Sequence, residues 1–213
     1  MIMVDKIRSP KRKNFSSFTL ASALKQLRVD RFQPWNFTTT PIPVSDFLNE
    51  RLQRLEKIFD LRGYEESKKL LIDALCEESI LPCDRLKVWK GAALKSDELN
   101  GNVDYLIAEN RVYLEAPMLC IAEAKKDNFE QGLGQCLVEM QACQWNNRQL
   151  ACAEIDVIGI VTNGNTWQFY KLTPDNIVYE TQPHSIGDLE VILGYLRSIF
   201  QMCEHNLSVI QGK

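Results

Sequence analysis

The sequence predicts an α/β domain: a central mixed β-sheet flanked by helices, with a helical extension before it and a helix after it. Three observations lead there. Apolar residues recur at helical spacing between Ser45 and about Ser79. The period then shortens to two after Pro82, and the segment VTNGNTWQFYKL reads as a β-hairpin. Helices on either side of a run of strands have to bury their apolar stripes somewhere, and a central sheet covered on both faces is the arrangement that does so.

Taken in order, residues 1–17 carry Lys6, Arg8, Lys11, Arg12 and Lys13 with little apolar material to pack, and read as a solvated or loosely docked tail. A short helix is expected near 18–27, followed by an irregular crossing segment with Pro34, Pro41 and Pro43. Ser45 caps a helix whose stripe is Phe47, Leu48, Leu52, Leu55 and Ile58, with Gly63 past its end. A second helix runs from about Glu65 to Ser79 on Leu70, Leu71, Ala74 and Leu75. Glu77 and Glu78 fall in its last turn, where the helix dipole favours cations, so each needs either water or a cation to meet.

Strands follow near 85–94, at 103–108 after an Asn100-Gly101-Asn102 turn, in a short extended piece at 111–115, and at 118–125. The next helix spans about Asn128 to Trp145, with the apolar stripe Phe129, Leu133, Cys136, Leu137 and Met140. Asn163-Gly164-Asn165 joins two strands of the hairpin, and a last helix from Ser185 to about Glu204 carries Leu189, Ile192, Leu193, Leu196, Ile199 and Phe200.

Composition narrows the function classes. The chain has 213 residues, 45% hydrophobic and 25% charged, with a net charge of −3, so no global basic field advertises a polyanionic partner. Local candidates for a basic footprint are Lys125-Lys126, Arg51, Arg54, Lys57, Lys68, Lys69 and the N-terminal cluster. Seven cysteines form no CxxC pair and there are two histidines, which argues against zinc and for reduced, buried thiols. No apolar run reaches the roughly 18 residues a membrane span needs, and the N-terminus lacks a signal peptide's apolar stretch, so the expected location is the cytoplasm. Trp89, Trp145 and Trp167 read as packing residues rather than base-stacking platforms.

The chemistry concentrates in MLCIAEAKKDNFEQGLGQC, residues 118–136. Strand alternation puts Leu119, Ile121, Glu123 and Lys125 on one face, with Glu123 and Lys125 roughly 7 Å apart where the strand leaves the core. Asp104 stands at the margin of the preceding apolar strand, with Val103, Tyr105 and Ile107 on the other face. Two half-buried carboxylates repel each other unless a cation lies between them. Mg²⁺ takes one or two carboxylates and leaves its other positions to water and phosphate. A bland reading competes, since charge at a strand end also deters sheet-to-sheet association. On the following helix, Gln131, Gln135 and Glu139 form one polar stripe that reads as a solvated face. Gly132 and Gly134 lie in a single turn at about 1 kcal/mol each against alanine, which calls for a close approach of backbone or ligand or a non-ideal helix start.

Asp104, then Glu123-Ala124-Lys125, then a glutamine-bearing helix resembles the core of the PD-(D/E)XK nuclease superfamily. The hairpin VTNGNTWQFYKL is similar to the segment after this core in the N-terminal nuclease regions of type I restriction enzyme R subunits. The resemblance covers roughly residues 65–172. It implies a restriction endonuclease-like core of order αβββαβ, with residues 1–64 as an N-terminal extension packing on it and 65–213 as the nuclease-like domain. It further implies Asp104, Glu123 and the main-chain carbonyl of Ala124 as ligands of Mg²⁺ (Mn²⁺ substituting), and Lys125 as the residue that positions or activates water. Gln135, with Gln131 as its competitor, would steady the site or contact nucleic acid. Glu78, or its neighbour Glu77, would be the acid contributed by the preceding helix. The activity implied is hydrolysis of phosphodiester bonds in nucleic acid, DNA before RNA, in restriction, defence or repair; dimerisation is common in the superfamily. The alternative is a catalytically silent module that keeps the fold to bind nucleic acid or protein. The sequence departs from the pattern at Val103, where a proline is usual, and at Glu139, where related restriction subunits carry an aromatic.

Overall fold

In a computed structural model the chain is described at residues 12–125, 128–151 and 153–211. The elements in order are β1 (Lys13–Asn14), α1 (Leu20–Leu27), β2 (Gln33–Pro34), α2 (Asp46–Ile58), α3 (Glu65–Ile80), β3 (Leu86–Lys95), β4 (Leu99–Glu109) and β5 (Met118–Ala124). After these come α4 (Phe129–Asn146), β6 (Val157–Thr162), β7 (Thr166–Leu172), β8 (Val178–Glu180), β9 (His184–Ser185) and α5 (Leu189–Gln211). The strands form one mixed sheet of nine, running β1-β4-β5-β6-β7-β8-β2, with β3 antiparallel along β4 and β9 along β7. β5 and β6 are parallel, and α4 makes the crossover between them.

Two apolar layers hold the sheet. On one face α3 and α5 cover Ile107, Ala122 and Phe169 with Leu75, Leu196 and Phe200; on the other, α4 and α1 cover Leu106, Ile121 and Val161 with Leu137, Met140 and Leu27. Each such side chain taken from water contributes about 1.5–3 kcal/mol, so both helical layers are held by burial rather than by helix propensity. Capping sets the helix starts. Ser45 accepts from Leu48 N, Asn128 accepts from Gln131 N, and Thr19 and Ser22 form a reciprocal capping box on α1. Among the described residues no helix is long and apolar enough to cross a membrane. Six cysteines, at 76, 83, 120, 136, 143 and 203, are free and buried, as their apolar settings required; Cys152 lies outside the described residues.

Several expectations are corrected. Asn100-Gly101-Asn102 is not a turn but part of β4, paired to β3 from Lys95↔Asn100 inward; the chain reverses at residues 96–98 instead. Gly101 is there for packing, because a Cβ would meet the Phe15 ring at 2.6 Å. Residues 111–115 form no strand. Leu119 does not share a face with Ile121: the β4–β5 register shifts between Ile107 and Ala108, and Leu119 joins the α3–α5 layer. Val103 packs in the α4 layer with Leu106, so the pleat also slips next to Asp104. Asp104 and Gly91, the latter at φ +60°, both fall outside the ladder, between its registered pairs Lys90↔Tyr105 and Ala92↔Val103. Phe47 and Ile58 on α2 are exposed rather than part of its buried stripe. A one-turn 3₁₀ segment over Ile186–Asp188 precedes α5, which therefore starts at Leu189 and runs on to Gln211.

Candidate functional site

Strands β4 and β5 part company at one point. Their last registered pair is Tyr105↔Ala122, and one residue further on the Asp104 side chain replaces the ladder, accepting the Ala124 N–H on Oδ2 at 3.0 Å. Its other oxygen, Oδ1, lies 3.0 Å from the Lys69 ammonium on α3. Lys69 also meets Glu66 at 2.7 Å and Glu65 at 3.7 Å, so the first two turns of α3 close over the end of the two strands. The Tyr105 hydroxyl fastens α3 below this point, donating to Asp73 Oδ1 at 2.9 Å, and Lys90 meets the other Asp73 oxygen at 2.7 Å.

Glu123 is the central residue. It is fully buried at the end of β5; its Oε1 is paired with the Lys125 ammonium, 2.7 Å away, and its Oε2 has no hydrogen-bond partner among the described residues. Burial, then the nearby Asp104 charge, push its carboxyl up to about 8 against the pull of Lys125. Burial works the other way on Lys125, but Glu123 outweighs it, so the ammonium is held above its usual range and stays charged. The Lys125 side chain is 20% exposed, so it spans from the buried acid to the opening. Its stem runs over Gly132 of α4, where a Cβ would sit 2.7 Å from Lys125 Cγ. Gly134 serves a separate purpose: a Cβ there would sit 2.7 Å from the Thr19–Leu20 backbone. The two glycines in one turn thus answer to two close approaches, a lysine stem inside and the start of α1 outside.

The expected solvated face on α4 is overturned: of that stripe Gln131 is exposed, while Gln135 and Glu139 are buried, Glu139 lying about two turns after Gly132 and so on the side of the helix turned to the sheet. Gln135 Nε2 donates to Glu139 Oε1 at 3.0 Å, and Glu139 Oε2 has no partner. Burial raises the Glu139 carboxyl well above the ordinary range, with Glu123 the next cause and Asp104 a further one, so the helix acid faces the strand acids.

The structure therefore brings Asp104, Glu123, Ala124, Lys125 and Gln135 to one end of β5. It does not bring Glu78 there. Glu78 is at the far end of α3, roughly 13 Å along the helix from Lys69, and its carbonyl accepts from Arg197 at 3.0 Å. Glu77 is paired with Arg51. The α3 acid that acts on Glu123 and Lys125 is Glu65, in the first turn. Lys69 and Glu139 are the other two members that sequence reasoning placed elsewhere. The signal for Glu139 was present in the paired glycines, which mark α4 as covered.

The remaining basic candidates do not form a free cationic stripe among the described residues. Arg54 is paired with Glu50, Arg51 with Glu77, Lys69 with three acids, and Lys68 is buried. Lys126, Lys6, Arg8 and Lys11 lie outside the described residues. Trp167 is wholly buried, a packing residue as expected.

Among the described residues, no three His, Cys, Asp or Glu side chains form a ready-made metal centre. The donor set nonetheless suits a hard dication. It is all oxygen, it holds more carboxylates than ammonium groups, and two buried carboxylate oxygens, Glu123 Oε2 and Glu139 Oε2, have no partner among the described residues. The chain matches no protein-family model and no curated protein sequence.

Proposed function

We propose that the chain is a Mg²⁺-dependent nuclease, with Mn²⁺ as substitute, that hydrolyses phosphodiester bonds of nucleic acid, DNA in the first instance, on a restriction endonuclease-like core. The observation that carries this reading is the buried Glu123 carboxylate, one oxygen paired with a partly exposed Lys125 and the other without a partner among the described residues, set beside Asp104. The order α3, β3, β4, β5, α4, β6 supports it, being the αβββαβ order of that core.

Asp104, Glu123 and the Ala124 carbonyl would hold the cation, which supplies charge neutralisation and a Lewis acid for a phosphoryl oxygen. Lys125 does its own part. Held above its usual range, its ammonium does not accept a proton; it orients water and offsets the negative charge that grows on the phosphate. Gln135, tied to Glu139, keeps its amide at the edge of the acid cluster, where it steadies the site. Gly132 leaves the lysine stem the room it needs.

A second reading has its own observation. Both Asp104 oxygens are already engaged, by Lys69 and by Ala124 N–H, which suits a silent module that binds nucleic acid or protein without cutting it. A cleavage assay on plasmid, linear and single-stranded substrates with Mg²⁺ or Mn²⁺ separates the two. The nuclease reading expects cation-dependent cleavage that falls about 10²–10⁴-fold in Lys125→Ala. Cleavage undiminished in Glu123→Ala removes the catalytic assignment, and nucleic-acid binding that persists in EDTA with no cleavage at any cation concentration favours the silent module.

A further inference from the structure

Glu139 has no role in the chemistry above beyond holding Gln135, and its surroundings are not those of a structural acid. Its carboxylate is fully buried, makes no ion pair among the described residues, and has one hydrogen bond, from Gln135. The second oxygen is orphaned in the interior. A buried carboxylate is tolerated when donors or a cation surround it; left as it is, it carries a desolvation cost that a glutamine or a leucine would avoid. The side chain nearest in charge is Glu123, which is also unsatisfied, so the two acids aggravate each other. One oxygen on each of these two fully buried side chains, Glu123 Oε2 and Glu139 Oε2, is an acceptor that no donor among the described residues serves, while Glu123 Oε1 meets Lys125 Nζ.

We propose that Glu139 is a ligand of a divalent cation that it shares with Glu123, and that Gln135 is the residue holding its carboxylate in position. This rests on the reading that a dication occupies the acid cluster, and deepens it by drawing the ion inward from the strand ends to α4. It also fixes the chemistry of the ion. A site drawn between two fully buried carboxylates strips water from its cation, and Mg²⁺ gives up water reluctantly, so Mn²⁺ binds the free protein more tightly than Mg²⁺. The polar pair Gln135–Glu139, four residues apart on one helix, is then a built arm: the amide fixes one oxygen and leaves the other for the metal.

The test is Mn²⁺ binding to the full chain, read from the loss of the free-Mn²⁺ paramagnetic resonance signal, with thermal unfolding in EDTA and in Mn²⁺ alongside. Glu139→Gln keeps the shape and an acceptor for Gln135. It is expected to weaken Mn²⁺ at least about tenfold, to melt no lower than the parent in EDTA, and to gain less from added Mn²⁺. Unchanged Mn²⁺ affinity in Glu139→Gln, with Asp104→Asn and Glu123→Gln both weakened, overturns this inference and leaves the metal reading standing. Absence of Mn²⁺ binding by the parent chain overturns both. Binding that follows the expected pattern without any cleavage sustains Glu139 as a ligand while removing the nuclease assignment. A Glu139→Gln protein that melts well below the parent in EDTA and keeps the whole Mn²⁺-induced gain marks Glu139 as a packing residue and overturns the proposal.

Discussion

The two ends of β5 are built from the same strand and covered by the same helix, yet they treat buried polar groups in opposite ways. At the start, Asn147, just past α4, clamps the Met118 backbone: its Oδ1 accepts the Met118 N–H at 2.7 Å and its Nδ2 donates to the Met118 carbonyl at 2.8 Å. Every polar group in that contact is served. At the other end, Glu123 Oε2 and Glu139 Oε2 have no donor among the described residues. The fold can satisfy a buried polar side chain beside α4 when stability is all that is asked. The unsatisfied end is therefore kept for something other than stability, as expected of a place where ligand binding overrides local consistency.

Four substitutions bear on this contrast, beyond the Lys125→Ala and Glu139→Gln proteins. The largest effect is expected at the satisfied end. Asn147→Ala leaves a buried N–H and a buried C=O unserved and should lower unfolding stability by about 2–5 kcal/mol, measured in urea. Any site chemistry per folded molecule should be unaffected. Loss of site chemistry without loss of stability would erase the distinction between the two ends.

Next come the glycines of α4. Gly134→Ala drives a methyl into the Thr19–Leu20 backbone and should cost about 1–3 kcal/mol. Gly132→Ala meets only the flexible Lys125 stem, so its effect on stability should be smaller, while cleavage should fall as the ammonium is displaced. Equal destabilisation by the two would show that α4 is packed alike on both sides.

The remaining effect concerns pH. The Glu123 carboxyl is raised from 4.5 to about 8 in the folded chain. Between those values the native state holds a proton that the unfolded state has lost. This contribution is fully present below about pH 4.5 and disappears as pH rises through about 8. In EDTA, melting temperature should therefore decline from pH 5 to pH 8, and Glu123→Gln should flatten part of that decline. A slope identical in the variant would assign the titration to another group.

Much of this architecture was legible in the chain. Ser45 and Asn128 announce their helices by capping, Asn163-Gly164-Asn165 announces its hairpin, and the change of period after Pro82 marks the sheet. The acids at the strand ends and Lys125 were legible because charge at the margin of an apolar run is conspicuous. What failed did so for tertiary reasons. Asn100-Gly101 has the chemistry of a turn, but Phe15, distant in sequence, claims the space above the glycine and keeps the segment in β4. Glu78 looked like the helix acid because only its position within α3 was readable, not which end of α3 faces the strands. Gln135 and Glu139 looked solvated because a polar stripe does not say which side of its helix meets the sheet, and Glu139 shares the side of Gly132. The small strands β1, β2, β8 and β9 are two or three residues long and too short for any period to register.

Asp104 is also a mechanical element. One of its oxygens is fixed to the β5 main chain and the other to a lysine on α3. Whatever competes with Lys69 for that second oxygen loosens the tether between the opening turns of α3 and the sheet, while the first oxygen keeps the strand ends registered. Occupancy of the cluster and the grip of α3 are thus linked through a single side chain, and ligand-dependent change in amide exchange should be concentrated at residues 65–69.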